Sequence, residues 1–150
     1  MFKPDCPLCS DQARSIALWH NQELRVIDAA DPNYPGFTRV VWHDHAAEMT
    51  DLNSPERRHI MDVVWVVEET LRKTLKPHKV NLAQLGNQVP HVHWHVIPRW
   101  TVDPSFPDAI WAAPAARAVE QQQAWQALRT QVAELVPKYH EALRDALESM

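Results

Sequence analysis

Apolar and polar positions along the chain fall into two rhythms, short β-rich stretches and long spans with a three-to-four residue repeat. Residues 24–27 and 37–42 are rich in β-branched and aromatic side chains and predict strands. Between them, Asp31-Pro32-Asn33-Tyr34-Pro35-Gly36 concentrates turn formers. Residues 1–23 predict an irregular segment with one apolar stretch, Ile16-Ala17-Leu18-Trp19, and His43-Asp44-His45 predicts a loop. Ser54-Pro55 reads as a helix start, because Ser can cap free amides and Pro suits the first helical position. Ile60, Val63, Val64, Val67, Leu71 and Leu75 follow at helical spacing. Met61, Trp65 and Val66 widen the stripe, so this long helix is expected to be largely buried until Pro77 stops it. Residues 80–85 and 89–97 predict a third and fourth strand, with Gly86-Asn87 turning the chain between them and Pro98 ending the second. Residues 101–116 carry Pro104, Pro107 and Pro114 and predict irregular structure. From residue 115 the pattern is helical, with Trp125, Leu128, Val132 and Leu135 on one stripe and Pro137 expected to split it into two helices.

Length and composition narrow the function classes. A chain of 150 residues with 45% apolar and 23% charged positions fits one folded domain. A net charge of −4 argues against a broad electropositive face, and so against nucleic acid as a partner. No run of about 18 apolar residues crosses a membrane, and Met1-Phe2-Lys3-Pro4-Asp5 holds no apolar signal core, so the expected location is cytoplasmic. The 2 glycines, Gly36 and Gly86, are too far apart for a Walker loop or a G-x-G-x-x-G turn.

Two motifs carry chemistry. Cys6-Pro7-Leu8-Cys9 is half of a metal site, a redox pair or two plain thiols; its position ahead of any strand favours metal over redox. The richer motif is His91-Val92-His93-Trp94-His95-Val96-Ile97-Pro98-Arg99. On a strand, the three histidines share one face and Val92, Trp94 and Val96 the other, which must pack on something apolar. Aligned imidazoles can chelate a metal with an open position for water. They can also act at phosphorus, one ring attacking while its neighbours donate hydrogen bonds to the phosphoryl oxygens and the leaving group. A merely solvated strand face favours Thr, Lys or Glu instead.

His91-Val92-His93-Trp94-His95-Val96-Ile97 matches, at every position, the His-φ-His-φ-His-φ-φ signature of the histidine triad (HIT) superfamily of nucleotide hydrolases and transferases, and the chain resembles that family. Pro35-Gly36, the Glu48-Met49-Thr50-Asp51-Leu52 stretch, the long helix and the Gly86 loop fall in the family's order. The run from Leu85 to Arg99 is similar to a bacterial branch described as diadenosine tetraphosphate hydrolase-like. The likeness spans roughly residues 6–112. It implies an α+β fold with an antiparallel sheet of about five strands and one long packed helix. Residues 1–112 would form the HIT-like domain and 113–150 a C-terminal helical extension of it. It also implies a homodimer that takes a small nucleotide substrate.

The same resemblance assigns roles. His93 would attack the α-phosphorus of a dinucleoside polyphosphate or nucleoside phosphoramidate, forming a nucleotidyl-histidine that water hydrolyses. His95 would contact phosphate oxygens, and His91 would orient its neighbours or bind zinc. Asn87 and Gln88, beside Gly86, would touch phosphate, and Asp28, with Asp31 as the second choice, would hold the ribose. Asn81 would lie near the site or make a strand-edge hydrogen bond. Cys6, Cys9, His45 and His91 would hold a structural Zn²⁺, no cofactor being required for the chemistry itself. Many relatives carry Gly-Gln-Ser or Gly-Gln-Thr before the triad, where this chain has Gly86-Asn87-Gln88 without a hydroxyl. That departure keeps open a nucleotide-binding or sensing module without turnover; a metallohydrolase using His91 and His93 as ligands is the other alternative. His43 reads as a loop histidine, His20, His59, His78 and His140 carry no motif, and Trp94 reads as packing.

Overall fold

The computed structural model describes residues 1–10 and 16–150. Five strands, β1 (Ala17–His20), β2 (Leu24–Asp28), β3 (Thr38–Trp42), β4 (Lys79–Ala83) and β5 (His93–Arg99), form one antiparallel sheet in the order β1-β2-β3-β5-β4. Helix α1 (Ser54–Leu75) and helix α2 (Val119–Glu148) complete an α+β architecture. The core lies between the sheet and the helices. Leu24, Val26, Val40 and Val96 meet Ile60, Val63, Val64, Val67 and Leu71, all fully buried. Each such aliphatic side chain contributes about 1.5–3 kcal/mol on burial. From α2, Trp125, Val132, Tyr139, Leu143 and Leu147 join the same cluster. Trp94 packs against it too, with Nε1–H donating to Met49 Sδ at 3.4 Å, so this ring lies with the core as expected.

The stripe of the long helix and the two central strands match the pattern of the chain, but the helix is not buried around most of its girth: Met61 and Val66 are half-buried and Trp65 is exposed. Several boundaries do not. Residues 17–20 form β1 rather than irregular chain, because β2 offers them an edge to pair with, Trp19 opposite Val26; the part of that expectation at residues 11–15 lies outside the described residues. The α1 cap is Asn53 rather than Ser54: Asn53 Oδ1 accepts from the Glu56 amide at 3.0 Å while the Glu56 carboxylate accepts from the Asn53 amide at 2.7 Å. β4 spans Lys79–Ala83, not 80–85. β5 starts at His93, not residue 89, and runs through Pro98, which sits opposite Val80. Pro137 does not split the last helix: α2 is continuous across it. A proline there costs the hydrogen bond to the carbonyl four residues back, but Val132 on one side and Tyr139 and Leu143 on the other are buried and hold the axis.

Candidate active site and metal cluster

β3 and β5 pair so that Val41 faces His93 and Arg39 faces His95. Cross-strand partners project to the same side, so Arg39, His93 and His95 share the face that points away from α1. Gly86-Asn87-Gln88, which leaves β4 on the far side of β5, overhangs the same face. Together with Pro7, Leu8, Leu85, Val89 and Trp111 they line a cavity of about 450 Å³. Gly86 turns the loop at φ +78°, a left-handed conformation that suits glycine.

Within the cavity the His93 and His95 rings meet edge to face, 4.8 Å between centroids. His93 Nδ1–H donates to the carbonyl of His91 at 2.6 Å. That bond sets the tautomer: Nδ1 carries the proton and Nε2 keeps its lone pair. Burial lowers the His93 pKa from the ordinary imidazole value; the His91 carbonyl opposes the shift and the Arg39 charge reinforces it. Burial likewise pushes His95 down to about 4, helped by His93 and Arg39. Both rings are therefore neutral at neutral pH, one able to attack and the other able to donate a single N–H. Trp111 stands against His95, 5.2 Å between centroids.

His91 turns elsewhere. It precedes β5, is fully buried, and its Nε2–H donates to the Trp42 carbonyl at 2.6 Å. Its Nδ1 then faces Cys6 Sγ at 3.4 Å and Cys9 Sγ at 3.5 Å, and Cys9 Sγ lies 3.5 Å from His45 Nδ1. All four donor atoms fall within 4.8 Å of one another. A tetrahedral ion with Zn–S of about 2.3 Å and Zn–N of about 2.0 Å has S-to-N edges of about 3.5 Å, so the set fits zinc in both ligand type and spacing. The Trp42 carbonyl is the outer partner that such a histidine ligand needs.

The other expected contacts divide. Asn87 and Gln88 line the cavity. Asp28 does not. It ends β2 opposite Thr38, whose hydroxyl bonds Tyr139 of α2 at 2.8 Å, and its carboxylate stands 3.6 Å from His140 Nε2. Asp31 is the acid whose charge reaches Arg39. Asn81 Oδ1 accepts from Arg99 Nη1 at 2.7 Å, within a buried network in which Arg99 pairs with Asp103. Arg39 and Trp111 were not singled out in the sequence. The signal for Arg39 is a lone charge inside the apolar stretch of residues 37–42.

Comparison with known proteins completes the picture. A family model described as HIT domain matches residues 10–102. A histidine triad protein from Bradyrhizobium japonicum superposes with a TM-score of 0.62 at 29% identity, over 82% of this chain and 96% of that one. A Zn-bound histidine triad family protein from Mycobacterium smegmatis gives a TM-score of 0.56 at 20% identity, over 87% of this chain and 95% of the other, a likeness of fold. An AP-4-A phosphorylase from Mycobacterium tuberculosis is 28% identical over 81 residues, which are 50% of this chain and 42% of that protein. The chain thus matches about two fifths of the length of that curated relative.

Proposed function

The chain belongs to the HIT domain family, and on that premise we propose that it is a nucleotide hydrolase or transferase working through a nucleotidyl-His93 intermediate. The observation that carries this reading is the His93 Nδ1–H bond to the His91 carbonyl, which leaves Nε2 as a free nucleophile in a cavity. Nε2 attacks the α-phosphorus and the leaving group departs with the electron pair of its bond. Water then displaces the imidazole. His95 and the polar groups of Asn87 and Gln88 face the phosphoryl oxygens and offset their charge. The substrate is a dinucleoside polyphosphate or a nucleoside phosphoramidate, and the 28% match to an AP-4-A phosphorylase supports the first class. Asp28 is the first candidate for the ribose and Asp31, whose charge reaches Arg39, the second; neither lines the cavity itself.

Cys6, Cys9, His45 and His91 are the residues that would hold a structural zinc, as the spacing of their donors supports and as the M. smegmatis neighbour, itself Zn-bound, suggests. The ion would tie the N-terminal segment to the sheet. A shared catalytic metal between His91 and His93 has no support, since the two rings face different sites. A homodimer is part of the proposal; the free edge of β4, with Leu82 and Leu85 exposed beside it, is a surface it can use. Among the described residues no helix is long and apolar enough to cross a membrane.

Acid-quenched intact mass spectrometry during turnover of diadenosine tetraphosphate and of an adenosine phosphoramidate tests the intermediate. An AMP-sized adduct on the wild type and none on His93→Ala is the expected result. Absence of both adduct and product with either substrate would overturn it in favour of a binding module. Product without an adduct, lost on chelation, would point to metal-assisted hydrolysis.

A further inference from the structure

The geometry points to a second anion subsite at Arg39, beside the histidine pair, that takes a phosphate other than the one attacked by His93. This deepens the nucleotide reading and rests on it for the identity of the first phosphate.

Arg39 is the sole charged side chain lining the cavity among the described residues. Its Nε is shielded from solvent with no hydrogen-bond partner there. The guanidinium lies over the Phe37 ring, 5.3 Å from the centroid. That contact orients the fork and satisfies none of its donors. Asp31 is the acid it senses, yet none of the described carboxylates is hydrogen-bonded to it. A half-buried guanidinium without an anion is costly, and its planar fork matches the oxygens of a phosphate. Arg99, by contrast, is buried against Asp103 and Asn81, which take up its donors. Arg39 opens onto the cavity instead.

Strand order places Arg39 relative to the histidines and the loop. β3 and β4 flank β5 on opposite sides. Asn87 and Gln88 approach the histidines from the β4 side and Arg39 from the β3 side, directly across from His95. The first phosphoryl group, at His93, already has His95 and the loop. Arg39 is left for a neighbouring phosphate. This favours substrates with a phosphate chain over phosphoramidates, whose leaving group is uncharged.

A second phosphate can come from the substrate's own chain or from inorganic phosphate in solution. In the latter case a phosphate oxygen attacks the phosphorus of nucleotidyl-His93. The P–N bond breaks, its electron pair returns to the ring, and the product is a nucleoside diphosphate in place of the monophosphate formed by water.

Calorimetry with AMP, ADP and inorganic pyrophosphate on the wild type, Arg39→Gln and Arg39→Lys tests the subsite without requiring turnover. The wild type should bind ADP at least about tenfold more tightly than AMP, in line with the gain from a charged hydrogen-bonding pair. Arg39→Gln should erase that difference while weakening AMP less than ADP, and Arg39→Lys should keep part of it. Equal affinity of the wild type for AMP and ADP overturns the subsite. So does equal weakening of both by Arg39→Gln, or failure of all three ligands to bind. If Arg39→Gln does not fold, the same comparison is read on Arg39→Lys. Loss of the ADP preference in a protein that turns nothing over would sustain the subsite and sink the catalytic reading. Turnover of diadenosine tetraphosphate in phosphate buffer separates the two sources. ADP made by the wild type from the transferred AMP group, labelled by [³²P]phosphate, lost in Arg39→Gln and reduced in Arg39→Lys, marks incoming phosphate as the occupant. Unlabelled products, with phosphate acting as a competitor of ADP, mark the substrate's own chain.

Discussion

His91 and His93 are two residues apart, yet their imidazoles serve different sites. The His91 ring lies among two thiols and a second histidine, locked by the Trp42 carbonyl. The His93 ring lies in an open cavity beside His95 and Arg39. One residue joins the two regions, since the His91 side chain belongs to the cysteine cluster while its carbonyl holds the His93 ring. The difference teaches that residue type sets what a side chain can do, while its hydrogen-bond partner and its neighbours decide which of those things it does. A carbonyl on Nε2 leaves the His91 Nδ1 toward the two thiols; a carbonyl on Nδ1 leaves the His93 Nε2 for the cavity.

The largest expected break in this comparison is His93→Ala. It should lower kcat/KM by at least about 10⁴-fold, as loss of a covalent nucleophile does, with the circular-dichroism melt little changed. A residual rate above about a tenth of wild type would remove His93 from its role. Next comes Cys9→Ser. Elemental analysis should show about one zinc per wild-type chain and none in the variant. The thermal midpoint should fall by on the order of 10 °C, the scale of a lost structural ligand in a domain of this size. Below that midpoint kcat/KM should change less than tenfold; a loss as deep as that of His93→Ala would mean the two regions are one catalytic unit.

The two glycines sharpen the contrast at smaller scale. Gly86→Ala meets only ordinary contacts, so its cost is the φ of +78° alone, about 1 kcal/mol. It should appear as a fall of roughly fivefold in kcat/KM through the displaced loop. Gly36→Ala would drive a Cβ into Leu75 Cδ1 at φ +86°; it should lower the thermal midpoint more than the activity.

The smallest effect is on the pH dependence of stability. His95, lowered to about 4 by burial first and then by neighbouring His93 and the Arg39 charge, binds its proton less readily folded than unfolded. Its contribution to stability is whole above about pH 6.5, the unfolded value, and is lost as pH falls toward 4. His95→Asn should flatten the decline of the thermal midpoint over that window, and an unchanged decline would mean the ring does not sense its burial.

Much of this molecule is legible in its sequence because the signals are local. The stripe from Ile60 to Leu75 declares a helix with one buried face, and alternation in the histidine run places Trp94 on the core side and His93 and His95 on the other. The C-x-x-C spacing marks Cys6 and Cys9 locally as half of a metal site, while the joining of His45 and His91 to them is expected only from a family likeness, as both lie far along the chain. What only the tertiary structure decided are matters of partnership. A lone arginine in an apolar strand acquires meaning when β5 sets His95 across from it. Asp28 is drawn to His140 because α2 docks there, and Pro137 stays helical because the side chains around it are buried. Helical and strand rhythms are properties of neighbours along the chain, so sequence determines them. The environment of a polar side chain is made by residues far from it in sequence, and only folding brings those into contact.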